Sequence, residues 1–431
     1  MNTPIPEIEK KQLAEIKAFQ EQSLASFLSY LQAHSKFYKA LFKQHSIDIS
    51  AIKSLEDLQK IPTTDKEDLQ VRSADFCCVG PGKIIDYITT SGTLGNPVTF
   101  ALSENDLQRL AYNESISLAC TGGNEHEIYQ LMTTLDRRFM AGLAYFMGAR
   151  KLGAGCVRVG SGIPELQWDT IFRIAPTAII TVPSFILKLL DYADQHKIEY
   201  KNSSIKKAIC IGEPIRTANF ELNALGKRIA ERWNIQLYST YASTEMGAAF
   251  TECEQGRGGH HHPELLIVEF LDEQGNHVKE GEAGELTVTT LGVEAMPLLR
   301  FRTGDICIYD TSPCSCGRNT LRIGPIIGRK KQMIKYKGTS LYPSAFYDIL
   351  NTMEHVENYV VEVSTNEIGT DEILIRIGCR YIPENFEKEI KDHFRARLRV
   401  SPAIVLSSVE EINKLQFHEN SRKPIVFIDR R

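Results

Sequence analysis

AIITVPS at residues 178–184, SFILKLLDYADQHK at 184–197, IKKAICIG at 205–212 and IQLYSTY at 235–241 decide the fold. The first, third and fourth are short, β-branched and apolar, the composition of strands buried on both faces. The second has apolar residues at helical spacing, and residues 217–233 read as another helix. Strands alternating with helices at this rhythm predict a parallel or mixed sheet flanked by helices, an α/β architecture.

Working outward, Leu13, Ile16, Phe19, Leu24, Phe27, Leu28 and Leu31 recur at helical spacing between residues 8 and 31, an amphipathic helix that packs and carries no chemistry. From residue 264 the pattern changes to strands joined by short turns, LLIVEFLDEQGNHV and GELTVTTL, which reads as an antiparallel β subdomain. It changes again after Gly328. VENYVVEVS, NEIGTD and EILIRIGC read as a hairpin, and PENFEKEIKDHFRARL as a helix with Phe386, Ile390, Phe394 and Leu398 on one stripe. The expected organisation is a large domain over 1–328 and a small α+β domain over 329–431, which is an ordinary domain size.

The chain has 431 residues with 42% hydrophobic content, enough for a large core and for more than one domain. Its 50 basic and 54 acidic residues are spread evenly to a net charge of -4, which gives no electrostatic footprint for nucleic acid or an acidic membrane. Small molecules are the expected partners. The N-terminal residues have no apolar run leading to a cleavage site, and no apolar span reaches membrane length, so the reading is a cytoplasmic protein. Most of the 10 cysteines stand singly in apolar runs and read as reduced core residues; Cys314 and Cys316, in the turn-rich PCSCGR, have the setting of a metal loop.

The chemistry starts at YITTSGTLGNP, residues 87–97. Glycines let a backbone approach a ligand closely, and Thr89, Thr90, Ser91 and Thr93 add hydroxyl donors, so the loop can wrap a polyphosphate. Composition alone leaves it equally open to being an ordinary turn. It is not a Walker loop, lacking Gly-Lys-Ser/Thr.

The order Thr-Thr-Ser-Gly-Thr-x-Gly-x-Pro resembles the phosphate loop of the adenylate-forming superfamily, which includes acyl-CoA synthetases, luciferases and peptide-synthetase adenylation domains. Further segments resemble that family's motifs in its order: Ile211-Gly-Glu-Pro-Ile215, Tyr241-Ala-Ser-Thr-Glu245, Arg302-Thr-Gly-Asp305, the run from Gly328 to Lys335, and Lys423 near the C-terminus. Within the superfamily the chain looks most like phenylacetate-CoA ligase and its relatives, through Pro-Leu-Leu-Arg-Phe-Arg-Thr-Gly-Asp, Pro-Cys-x-Cys-Gly-Arg and the terminal Val-Phe-Ile-Asp-Arg-Arg. Departures are Leu94 for a second Thr, Ala242 for Gly, Lys330-Lys331-Gln332 for an acidic pair, and Ser421-Arg422 before Lys423.

The resemblance implies an AMP-forming acid–thiol ligase that activates a small carboxylic acid, aryl as the leading class, with ATP and Mg2+ and passes the acyl group to CoA. It assigns Thr90, Ser91, Gly92, Thr93 and Gly95 to the phosphates. Gly212, Glu213 and Pro214 would wall the adenine side through backbone groups, with Tyr241 and Ala242 nearby. Thr244 would contact phosphate, Glu245 would hold Mg2+, and Asp305 would take the ribose hydroxyls. Lys423 would be the mobile catalytic lysine, Arg329 would lie at the nucleotide, and Lys331 would be the hinge of a mobile C-terminal domain. The residues alone also allow Glu245 to be a helix-start carboxylate, Asp305 a turn residue and Lys423 a solvated surface group. The acyl pocket is expected between LDRRFMAGLAYF and TVPSF, with the loop before Tyr241, and Asp136, Arg137 and Arg138 facing solvent, a polar substrate or the CoA phosphates.

Cys253, Cys314 and Cys316 with one histidine of His260-His261-His262 would make a closed tetrahedral Cys3His site for structural Zn2+. Counting back from Glu269 matches His260 to the ligase pattern, with His261 and His262 left open. Spacing alone also fits two reduced cysteines and three surface histidines. The alternative acceptor is the phosphopantetheine thiol of a separate carrier protein, since the chain contains no carrier domain. A non-catalytic nucleotide-binding relative is the reading from another class, and a symmetric homodimer is the default assembly.

Overall fold

The computed structural model describes residues 5–90, 97–336, 339–366, 371–417 and 424–431. The chain divides into two compact units, 1–222 with 226–325, and 223–225 with 326–431.

In the first unit a nine-stranded sheet runs in the order Gly155–Arg158, Ile128–Leu131, Ala178–Thr181, Lys207–Ile211, Gln236–Ser243, Ala248–Glu252, Gly259–His260, Arg322–Ile323 and Tyr309–Asp310. The first five strands are parallel and the last four antiparallel to their neighbours. The sequence rhythm from 178 to 241 is therefore read directly in the parallel half. Ala178, Ile179 and Ile180 are all fully buried, as β-branched strands with helices on both faces must be. Helices Glu104–Cys120 and Met140–Leu152 supply Leu118, Tyr145 and Ala149 to a core with Tyr129, Leu131, Ile180 and Ile209.

Three strands of the predicted antiparallel subdomain pair, Leu266–Leu271 in unbroken register with Gly284–Thr290, and the latter with Phe301–Cys307 across a register shift between Glu285 and Thr287. In the second unit Asn358–Thr365 pairs antiparallel with Asp371–Gly378, the hairpin read from sequence, and Ala403–Ser407 and Phe427–Asp429 add parallel on either side. The helix Phe386–Leu398 buries Phe386, Ile390 and Phe394 against this sheet, with Leu398 packed alongside. Each such side chain contributes about 2–3 kcal/mol by leaving water.

Two expectations need correction. The helix expected over 217–233 runs only from Ala224 to Arg232. Residues 216–222 fold back instead, with Thr217 N–H on the Glu221 carbonyl and Arg216 bridged to Leu222. The first long helix is Leu13–His34, but Leu13 and Phe19 lie outside its buried stripe, 51% and 38% exposed, and Gln20 takes a place in it. Gln20 is not an error of patterning: its amide donates to the carbonyls of Pro263 (3.1 Å) and Leu266 (2.8 Å), which a leucine could not do.

Candidate functional site

The strand Gln236–Ser243 lies in the middle of the nine-stranded sheet and delivers Tyr241 and the turn after it. Tyr241 donates from its phenol to Oδ2 of Asp305 at 2.7 Å. Burial first, then the neighbouring Asp305 charge, push that phenol well above its ordinary range, so it stays a donor. Asp305 follows Gly304, whose φ of +78° suits glycine, and its N–H donates to Thr303 Oγ1 at 3.1 Å. Two residues that the resemblance assigns to the nucleotide are thus in direct contact.

Thr244 and Glu245 occupy a tight turn between the antiparallel strands Gln236–Ser243 and Ala248–Glu252. The helix-start alternative for Glu245 is overturned, because no helix begins there. Ser243 Oγ accepts from Met246 N–H at 3.3 Å, and Arg109 fixes the far side by donating to the Gly247 carbonyl at 2.7 Å. Glu245 lies 3.7 Å from Lys66 Nζ at the start of helix Lys66–Phe76. Lys66 was not singled out from sequence: after Asp65 it reads only as the first residue of a capped helix.

Thr244 and Glu245 line a cavity with Phe100, Leu110, Met140 and Met246. Met140 comes from the segment LDRRFMAGLAYF, and Leu110 from helix Glu104–Cys120. In TVPSF, Ser184 is engaged elsewhere: Glu213 accepts from its N–H and its hydroxyl, both at 2.9 Å, in the first turn of helix Pro183–Gln195. Gly212, at φ +75°, turns the chain out of strand Lys207–Ile211 to allow this. Asp136, Arg137 and Arg138 are solvent-exposed.

Thr90 closes the base of the glycine-rich loop. Its N–H donates to the Val98 carbonyl and its Oγ1 accepts from Val98 N–H, both at 3.0 Å. Ser91, Gly92, Thr93 and Gly95 lie outside the described residues, as does Lys423. In the second unit, Arg329 precedes a single 3-10 turn, Lys330–Gln332. Arg431 donates to the carbonyls of Lys331 (3.2 Å) and Met333 (2.8 Å).

At the antiparallel end of the large sheet, one donor atom from each of Cys253, His260, Cys314 and Cys316 lies within 4.8 Å of all the others. Cys253 Sγ is 3.6 Å from Cys314 Sγ, and Cys316 Sγ is 3.4 Å from His260 Nε2. Hydrogen bonding with Cys253, then with His260, holds the Cys316 thiol below its ordinary range, and burial pushes His260 down, leaving a neutral ring with a lone pair to give. His261 and His262 are engaged elsewhere, His261 Nε2 with the Leu266 carbonyl at 2.6 Å and His262 Nδ1 with Glu9 at 2.5 Å. The donor set and spacing fit a tetrahedral ion. Glu9, fully buried, also pairs with Arg318 at 2.8 Å, and Arg318 reaches Cys316 Sγ at 3.6 Å. Nothing in the N-terminal sequence marked Glu9, which gains its meaning from a partner 309 residues away.

The chain is 29% identical over 394 residues to a phenylacetate-coenzyme A ligase of Thermus thermophilus, covering 89% of this chain and 85% of that one. It is 27% identical over 375 residues to the phenylacetate-coenzyme A ligase of Escherichia coli, covering 84% and 82%. Its fold matches a 2-hydroxyisobutyryl-CoA ligase solved with 2-HIB-AMP, with a TM-score of 0.86 at 23% identity over 99% of this chain and 92% of that one. An anthranilate CoA ligase with anthranoyl-AMP matches with a TM-score of 0.61 at 18% identity, over 80% and 66%. The sequence profile of the AMP-binding enzymes spans residues 13–295, well over half the chain, and with the site described above it follows that this protein belongs to the AMP-binding enzyme family.

Proposed function

We propose that this protein is an AMP-forming acid–CoA ligase. A carboxylate attacks the α-phosphorus of ATP, forming acyl-AMP and releasing pyrophosphate; the CoA thiol then attacks the acyl carbon, releasing AMP and a proton. The observation that carries this reading is the Tyr241–Asp305 hydrogen bond at 2.7 Å, on the strand that continues into Thr244 and Glu245, in a chain matched over most of its length by phenylacetate-CoA ligases.

Asp305, held by Tyr241, is the group for the ribose hydroxyls, since a carboxylate can accept from two vicinal donors. Thr90 and Thr244 meet the phosphates, continued by Ser91, Gly92, Thr93 and Gly95, while Gly212, Glu213, Pro214 and Ala242 wall the base. The spent side chain of Glu213 supports a wall made by backbone groups. Glu245 would hold Mg2+, which when bound offsets the charge that opposes attack on the α-phosphate. Lys423 stabilises the adenylation transition state. The second domain, 329–431, with Arg329 at the nucleotide, turns about Lys331 between the half-reactions. Cys253, His260, Cys314 and Cys316 hold a structural Zn2+. The acid is a small aryl acid, and the apolar Phe100, Leu110, Met140 and Met246 support that class. No helix among the described residues is long and apolar enough to cross a membrane, in keeping with a cytoplasmic site of action.

The test is pyrophosphate release with ATP and Mg2+ across a panel of acids, each with and without CoA. Turnover that needs both an acid and CoA supports the ligase. A single equivalent released despite CoA points to a carrier-protein thiol, and no release with any acid overturns the reading.

A further inference from the structure

Helices Glu104–Cys120 and Met140–Leu152 touch at their backbones: a Cβ on Gly148 would lie 2.3 Å from Cβ of Glu114. This contact encloses Glu114, 4% exposed, and Tyr145, 3% exposed. Neither the Glu114 carboxyl nor the Tyr145 hydroxyl has a hydrogen-bond partner among the described residues. Burial pushes the carboxyl up to about 8, so near neutrality it is largely a neutral acid, able to donate and to accept. Burial first, and then Glu114, raise the Tyr145 phenol well above 10, so it too keeps its proton and the two groups are electrostatic neighbours.

Packing does not require either polar group. An apolar side chain of the same volume would fill the space without the cost of bringing a polar group in from water. The position suggests what completes the pair. Leu110, one turn before Glu114 on the same helix face, lines the cavity that holds Thr244 and Glu245, and Met140 lines it from Tyr145's helix. Helical side chains lean toward the N-terminus, so Glu114 and Tyr145 both lean toward the end of their helix that meets the cavity. The four residues from Leu110 to Glu114 rise about 6 Å, within reach of the tail of a bound aryl acid.

We infer that Glu114 and Tyr145 form the polar far end of the acyl site and select acids that carry a hydroxyl remote from the reacting carboxylate. The inference rests on the ligase reading and names its substrate class. Glu114 and Tyr145 exchange hydrogen bonds with the substrate hydroxyl. A methyl in its place leaves both groups unpaired, which is how a buried polar site rejects an apolar analogue.

The test compares unsubstituted, para-methyl and para-hydroxy aryl acids with the full-length protein, reading kcat and KM separately from pyrophosphate release. The expected result is a hydroxyl-over-methyl preference in kcat/KM of about tenfold or more. That ratio falls toward one in Glu114→Met and Tyr145→Phe, while Glu114→Gln, which still donates and accepts, keeps part of it. Thermal melts confirm that each variant is folded, and any that is not is replaced by the other position's variant. Equal use of methyl and hydroxyl acids by the unmodified protein, or a ratio unmoved in the folded variants, overturns the inference and leaves the ligase reading standing. No release with any acid overturns both.

Discussion

Tyr241 and Asp305 stand 64 residues apart in sequence, on strands of different sheets, and meet through one 2.7 Å hydrogen bond. The half-buried tyrosine is the donor and the buried aspartate the acceptor, so the bond fixes where the carboxylate points before any nucleotide arrives. Charge-assisted bonds of this kind are stronger than neutral ones and set orientation as well as energy.

Tyr241→Phe removes the donor and keeps the ring. The expected result is a rise of about tenfold in KM for ATP, with a smaller change in kcat, as for loss of one bond to a charged group of about 1.5 kcal/mol. Steady-state pyrophosphate release against ATP checks it; an unchanged KM would mean that Asp305 does not need this partner.

Glu114 makes stability depend on pH. Its folded carboxyl sits at about 8 against an ordinary 4.5, and burial is the cause. A group whose folded value is raised binds its proton more tightly in the native state. Its contribution is therefore fully present below the unfolded value, near 4.5, and is lost as pH rises through about 8. At about 1.4 kcal/mol per pH unit, the interval amounts to at most on the order of 5 kcal/mol. Glu114→Gln is expected to raise Tm relative to the unmodified protein at pH 9 and to matter little at pH 5. Parallel melts at the two values decide it.

Metal analysis of protein purified without chelator or affinity metal is expected to give about one equivalent of zinc per chain. Cys316→Ser should lower that content and the Tm together, and chelator should reproduce the loss in the unmodified protein. Less than about a tenth of an equivalent would dispose of the site.

Glu9→Gln leaves Arg318 and His262 buried without their shared carboxylate. Breaking a buried ion pair from one side costs about 3–5 kcal/mol, so the urea midpoint should fall well below that of the unmodified protein. A surface control such as Glu7→Gln, whose partner Lys10 is exposed, should leave the midpoint within error.

The strands and helices legible in the sequence were those whose pattern is a local consequence of burial. The short β-branched run Ala178–Thr181 is a strand buried on both faces, and the stripe Phe386, Ile390 and Phe394 is one face of a helix. The helix expected at 217–233 failed because its first half carries no apolar stripe to bury, and turn hydrogen bonds from Thr217 and Phe220 win there. The motifs pointed to Tyr241, Glu245 and Asp305, but no local pattern paired Tyr241 with Asp305 or set Lys66 against Glu245. No motif marks Glu114; it packs against Gly148, on the next helix, where no larger side chain would fit.

The bond between Glu9 and Arg318 also orders events during synthesis. The turn Glu7–Lys10 is made early, yet the donor that its buried carboxylate needs, Arg318, together with the Asn319 N–H and amide that donate to the carbonyls of Glu9 and Lys10 at 2.7 and 2.8 Å, follows some three hundred residues later. Until Asn319 has left the ribosome, the turn Glu7–Lys10 has no seat, and a carboxylate destined for complete burial waits in water. The Glu7–Lys10 turn is thus made long before the residues that fasten it.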